Sequence, residues 1–460
     1  MARSIRQHTA FDALAARFSG TLLAPGDANY EEARTVHNSM IDKQPALIAQ
    51  CATPADVTAA IAFGCDARLE IAVRAGGHSV AGMSLSDGGT VIDVRPMKEI
   101  EIDPAARTAR VGAGVTWGEF DRAAQEHGLA TTGGRVSTTG VAGFTLGGGS
   151  GWIERKYGLA CDNLRAVELV LANGDEVRAS ARENPELFWA LHGGGGNFGV
   201  ATTLEFDLHP VGPTVHAGLL LWPAASAPDV LHAYRDWAQA APEELGSAVG
   251  FLTGPAEEFI PPHLQGQLLC AVIPCWFGPI ESARDAVAPM RALGPEVDLV
   301  SDMPYADFQC MIDDPPGFRN YWSASYMRSL PDDAIATFLK ASSDMRSPLC
   351  QNLMLPWGGA VARVSDTDTP MTQRNATWVY HPFAVWESPA DDAANIAWAR
   401  DAIADMDRFA TDGIYLNFIG DEGPGRVKDA FGPNYARLQA VKREYDPDNV
   451  FRLNQNITPA

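Results

Sequence analysis

The chain has 460 residues, 46% of them hydrophobic and 20% charged, and its 57 acidic against 35 basic side chains give a formal net charge of −22. That length exceeds one ordinary hydrophobic core, so a globular protein of two domains is expected. The acidic balance argues against non-specific binding to nucleic acid or anionic membranes, and no apolar run reaches the length of a transmembrane helix.

The first residues, "MARSIRQHTAFDALAARFSG", lack the apolar core and cleavage site of a secretory signal. The seven cysteines include no CxxC pair, which fits free, mostly buried thiols in a reducing cytoplasm. The ten histidines show no HxH, HxxH or HExxH spacing, so no metal site is expected.

From about residue 45 to 208, short strand-like runs alternate with glycines. "LEIAVRA" and "TVIDV" flank a glycine loop, "RTARVGAG" is a third strand, and "TWGEFDRAAQEHG" reads as a helix closed by Gly128. "AVELVLANGDEVRAS" reads as a hairpin turning at Asn173-Gly174. "VATTLEFDLHP" alternates as a half-buried strand. After Pro210 the texture changes to amphipathic helices, such as "APDVLHAYRDWAQAAPEEL", separated by apolar strands such as "GQLLCAVIPCWFG", "CQNLMLP" and "ATWVYHPFAVW". Strand pairs separated by helices imply an antiparallel sheet covered on one face. The amide- and aromatic-rich tail is unlike this region and is expected to return to the first. The boundaries are drawn as 1–208, 209–408 and 409–460.

Four glycine clusters fall in the first 200 residues: Gly76-Gly77, Gly133-Gly134, Gly140 to Gly151, and Gly193 to Gly196. Repeated glycine loops between strands suit an extended phosphorylated ligand wrapped by main-chain N–H groups. None has the Lys-Ser/Thr of a P-loop or a GxGxxG opening a βαβ unit. "GGHSVA" resembles a serine nucleophile elbow, but the serine is followed by loop and strand where an elbow needs a helix.

"VRAGGHSVAG", "GGGSGWIERKYGLACDN", "FWALHGGGGNFG" and "NYARLQAVKREYDPDNVFRLNQNI" together resemble the berberine bridge enzyme-like branch of the vanillyl-alcohol-oxidase flavoproteins. The bacterial members, oxidases of small and antibiotic-like molecules, are the most similar. The resemblance implies an α+β fold. An FAD-binding domain of the PCMH type, in two parts, would be completed by the tail. A substrate domain, an antiparallel sheet under helices, would cover the flavin. It implies a covalent bond from His78 to the flavin. The second, cysteinyl bond of many members is not expected, because Val136 stands at that position. Further FAD contacts implied are Arg74, Ala75, Gly76, Gly77, Ser79, Gly140, Gly143, Asp162, Asn163, Asn197, Gly199, Val200, Asn417, Asn454 and Gln455. Cys161 is read as packing.

The resemblance also implies a catalytic Tyr415 facing flavin and substrate, and Tyr157 lining the pocket. Thr139 stands at the position that gates oxygen in one antibiotic-pathway relative. Leu353, beside Asn352, occupies the place of an acidic base in a relative that works through a flavin N5-oxide. His381 is the best general-base candidate, since its ordinary pKa lies near neutrality. Phe144, Asn352 and Leu353 are expected at the substrate pocket, with Phe251, Trp276 and Trp357 as further aromatic candidates. The expected function is an FAD oxidase taking a hydride from an alcohol, amine or related group of a small molecule, with O2 returned as hydrogen peroxide. An N5-oxide monooxygenase is the alternative. No nucleic-acid or membrane partner is expected.

Overall fold

The computed structural model describes residues 5–313, 315–420 and 423–460. Three larger sheets organise the described residues, beside a short antiparallel pair of Leu129–Ala130 with His209–Pro210. In the first, Leu47–Gln50, Thr90–Asp93 and Ile71–Arg74 run parallel, and Thr21–Leu23 adds an antiparallel edge. The helix Pro54–Asp66 makes the crossover. It starts in a capping box: Thr53 Oγ1 accepts from the Asp56 N–H and the Asp56 carboxylate from the Thr53 N–H, with Pro54 preset for the first turn. The second sheet is antiparallel, in the order Ile100–Asp103, Thr108–Gly112, Val200–Asp207, Leu164–Val170, Glu176–Ser180. Val200–Asp207 was expected to be half-buried. It is instead the central strand, covered on both faces along most of its length. The hairpin also differs: its turn spans residues 171–175, with the Leu171 carbonyl accepting from the Gly174 N–H.

The third sheet is antiparallel throughout and includes Leu220–Pro223, Leu268–Trp276, Leu245–Thr253, Gln351–Pro356, Trp378–Trp386 and Arg319–Trp322 as successive neighbours. Helices Ala227–Ala240, Ala283–Arg291, Asp332–Ser343 and Asp392–Met406 cover one face. Alternation along the strands decides what faces where. Met354 and Tyr380 pack under the helices, and Asn352 donates to Ser342 Oγ on one of them. Residues 351, 353, 355, 381 and 383 face the other way.

The tail returns to the glycine-rich half. Helix Tyr435–Tyr445 packs on helix Pro185–Ala190. Lys442, fully buried, donates to the carbonyls of Asn197 and Phe451 and to the Asp446 carboxylate. No helix among the described residues is long and apolar enough to cross a membrane.

Candidate active site

A long cleft runs between the first two sheets and the bare face of the third, with about 2180 Å3 of empty space counted out to its open mouth. One wall is main chain. The loop after strand Ile71–Arg74 and the segment 136–143 touch back to back: a Cβ on Gly76 would stand 2.2 Å from the Gly140 nitrogen. Gly77 has φ +76°, where a side chain is strained. The main-chain N–H groups of Gly76, Gly77, His78 and Ser79 donate to no described residue, although all four line the cleft. Buried or half-buried donors left in a row need an acceptor from elsewhere, and such a nest suits phosphate oxygens. Gly143 and Gly196 also line the cleft, and a Cβ on either would meet no protein atom within 4 Å. These residues form a cradle that fits an extended diphosphate cofactor.

His78 lies in this wall. Its ring stacks on His37 at 4.2 Å and 20°, and its Nε2 is 2.9 Å from Thr138 Oγ1. Burial, with His37 beside it, holds its pKa down to about 3, so the imidazole is neutral at physiological pH. Arg74, expected to touch the cofactor, points away from the cleft. Its guanidinium donates to the carbonyls of Ala33 and Thr35, and burial lowers its pKa to about 10. That grip shapes the segment leading to His37, whose N–H donates to the Gly77 carbonyl.

On the opposite wall, His381 is buried and stacked on Phe418 at 4.2 Å and 12°. Its Nδ1 lies 2.9 Å from the Ser323 carbonyl oxygen, which can only accept, so Nδ1 carries the proton and Nε2 the lone pair. Burial lowers its pKa to about 4. No described residue bonds Nε2.

Ala75, Ser79, Val136, Thr139, Gly140, Phe144, Gly199, Leu353, Asn417, Asn454 and Gln455 also line the cleft. Asn417 Nδ2 donates to the Phe144 carbonyl, and Asn454 Nδ2 to that of Gly196.

Several expected contacts lie elsewhere. Tyr415 is 1% exposed and stands behind the cleft wall, its hydroxyl accepting from the N–H groups of Gly149 and Ser150 and from Asn417 Nδ2. The buried glycine loop needs that acceptor, and burial pushes the phenol's pKa well up. Tyr157 stacks on His209 at 4.0 Å and donates to the Pro210 carbonyl, away from the cleft. Asn163 bonds His209 and the carbonyls of Tyr157 and Leu159. Asp162 makes a two-pronged ion pair with the buried Arg374, at 2.8 Å on each oxygen. Asn197 spends its amide on the tail and the 194–197 turn, and Val200 is buried in its strand. Asn352 faces the helices. Phe251 packs on Phe338, Trp276 donates to the Pro279 carbonyl, and Trp357 packs edge-on to Tyr415, so none of the three lines the cleft.

The structure adds His37, Arg135, Trp322, Gln351, Phe383 and Phe418 to the lining. Period-two alternation from Leu353 points to Gln351 and Leu355, and from His381 to Phe383. His37 and Arg135 carry no local signal, because their positions follow from loop packing.

Residues 45–180 match the family model described as FAD binding domain, and residues 414–458 the one described as berberine and berberine like. (R)-6-hydroxynicotine oxidase of Paenarthrobacter nicotinovorans is 31% identical over 464 residues, covering 96% of this chain and 97% of its own. An uncharacterized FAD-linked oxidoreductase of Bacillus subtilis, YgaK, is 29% identical over 96% of this chain and 98% of its own. Among solved structures, 6-hydroxy-D-nicotine oxidase from Arthrobacter nicotinovorans superposes with a TM-score of 0.85 at 29% identity, over 96% of this chain and 98% of that one.

Proposed function

The chain belongs to the berberine bridge enzyme-like family of FAD-linked oxidoreductases, and from that premise we propose that it is an oxidase of a small molecule, with FAD attached through His78. Residues 1–208 and 409–460 would hold the cofactor, and 209–408 the substrate. What carries the reading is one shared cleft, with a neutral His78 in an N–H nest on one wall and a neutral His381 on the other.

A neutral imidazole offers a lone pair for bonding to the flavin methyl carbon. A covalent link would form one N–C bond in exchange for one imidazole N–H and one methyl C–H, with O2 as the acceptor of the two electrons and two protons. Val136 carries no sulfur, so a single link is proposed. Gly76 to Ser79, Gly140 and Gly143 would hold the diphosphate, with Asn417, Asn454 and Gln455 closing the site from the tail.

FAD, when bound, supplies the acceptor for a hydride from a carbon bearing O–H or N–H. His381 Nε2 takes the heteroatom proton, and the Ser323 carbonyl fixes the ring tautomer that can do so. Tyr415 acts at one remove, bracing the glycine loop. Thr139, small and at the cleft, would leave O2 a path. Leu353 faces the cleft without a carboxyl, which weighs against the N5-oxide monooxygenase reading.

The test is denaturation of the purified yellow protein followed by a search for flavin fluorescence in the gel band. Fluorescence that stays with the wild-type chain and is lost in His78→Ala supports the link. Flavin that washes off the wild type refutes it. Hydrogen peroxide released on turnover in air separates an oxidase from a dehydrogenase.

A further inference from the structure

The substrate side of the cleft carries only two polar side chains on the strands Gln351–Pro356 and Trp378–Trp386. Their register sets Leu353 opposite His381 and Gln351 opposite Phe383. Gln351 and His381 are therefore diagonal neighbours on one face, roughly 7–8 Å apart along the sheet. Gln351 is half-buried, and no described residue hydrogen-bonds its amide. Around the pair the surface is largely apolar: Leu353, Leu355, Trp322 and Phe383, the last two rings 4.5 Å apart, while Arg135 shares the lining with its guanidinium donating to Glu154 and to the Ser150 and Gly151 carbonyls.

An amide that lines the cleft without a protein partner, near a candidate base, has hydrogen-bonding capacity to offer a ligand. We infer that Gln351 is a specificity-determining residue. It receives a second polar group of the substrate while His381 meets the group that is oxidised. The substrate class is then a flat, largely apolar ring system carrying two separated hydrogen-bonding groups. An amide both donates and accepts, so the second group is a hydroxyl or a carbonyl. A sugar, with a hydroxyl on nearly every carbon, would leave most of them against Leu353, Leu355 and Phe383 without partners. This inference rests on His381 being the base proposed above.

Two matched pairs of probes test it on the oxidised FAD-loaded protein, by perturbation of the flavin absorbance under anaerobic conditions. They are benzyl alcohol with 4-hydroxybenzyl alcohol, and naphthalen-2-ylmethanol with its 6-hydroxy derivative. In at least one pair the hydroxylated member should bind the wild type about tenfold more tightly. Gln351→Leu should erase that advantage while the parent alcohols bind as before. Gln351→Glu should keep the preference for a hydroxyl and reject the corresponding 6-acetyl naphthalene, since a carboxylate only accepts. In steady state the Leu variant should raise KM for the hydroxylated probe far more than it lowers kcat. A wild type that binds both members of each pair equally, or binds none, overturns the inference. So does a preference that survives Gln351→Leu. Because discrimination is read as binding, a failure of His381 as base appears separately, as unchanged flavin reduction in His381→Phe.

Discussion

His381 Nδ1 and the carbonyl oxygen of Ser323 stand 2.9 Å apart, and this one bond fixes which nitrogen of the ring can act as a base. Burial, with Arg135 adding to it, lowers the pKa from 6.5 to about 4, so Nε2 stays unprotonated well below neutrality. The acidic limb of the rate of flavin reduction should therefore lie near pH 4, not near 6.5. The sign for stability is the same: the unfolded chain binds the extra proton between about 4 and 6.5, so this contribution is full above 6.5 and is lost as pH falls towards 4. A base this weak does not ionise an alcohol in the resting complex, so proton and hydride should leave in one step. Stopped-flow reduction with deuterated substrate and in D2O should show both isotope effects on that same phase. His381→Phe should slow it about 10²–10⁴-fold.

The stack of His37 on His78 yields a second expectation. Without the neighbouring ring, His78 is less buried and free to turn from the nest, so His37→Ala should lower the fraction of chains carrying flavin after denaturation. His78→Ala should abolish that fraction yet still retain FAD on gel filtration, because the N–H groups of residues 76–79 remain. Total flavin per chain, measured by absorbance beside gel fluorescence, checks both. Loss of all flavin in His78→Ala would contradict the nest.

Thr139 lines the cleft, with its N–H donating to the Val136 carbonyl and its own carbonyl accepting from Trp117. The main chain is pinned, so a larger side chain cannot retreat. Thr139→Leu should slow reoxidation by O2 by at least tenfold and leave reduction by substrate within a few-fold of wild type. Air-mixing of the pre-reduced protein measures this directly, and unchanged reoxidation would remove Thr139 from the oxygen path.

These expectations draw unequally on what the chain's residues announce. The strands around "VRAGGHSVAG" were legible because β-branched runs broken by glycine have few other solutions, and the cleft does form around that loop. The wall of the third sheet was half legible: His381 and Leu353 were placed on it, whereas Gln351, one alternation away, was not. Tyr415 misled because a tyrosine in a motif carries no sign of which neighbour needs its hydroxyl; here the N–H groups of Gly149 and Ser150 take it. Asp162 misled in the same way, since its partner Arg374 is 212 residues distant in the chain and no local pattern joins them. Long-range pairing of buried polar groups is decided by how loops pack, which periodicity does not encode.

Lys442 is the other such pairing, and it links the tail to the cofactor wall. The ammonium is fully buried and has three acceptors, the Asp446 carboxylate at 2.6 Å and the carbonyls of Asn197 and Phe451. Asp446 is also needed by the N–H groups of Val450 and Phe451, which set the path of the chain towards Asn454 and Gln455. Lys442→Met fills the same space but strands a buried carboxylate and two carbonyls. Removing one partner of a buried pair costs about 3–5 kcal/mol, equivalent to a fall in Tm on the order of 10 °C. Lys442→Arg keeps the charge but not the fit, and should fall between. Because Asn197 Nδ2 bonds the Gln455 carbonyl and Asn454 Nδ2 that of Gly196, the damage should reach the cleft. In the Met variant, residues beyond 446 should become open to proteolysis below the temperature of global unfolding, and FAD that is not covalently held should be released over the same range. A tail that stays protected until the whole chain melts would show that Lys442 supports the fold alone and not the site.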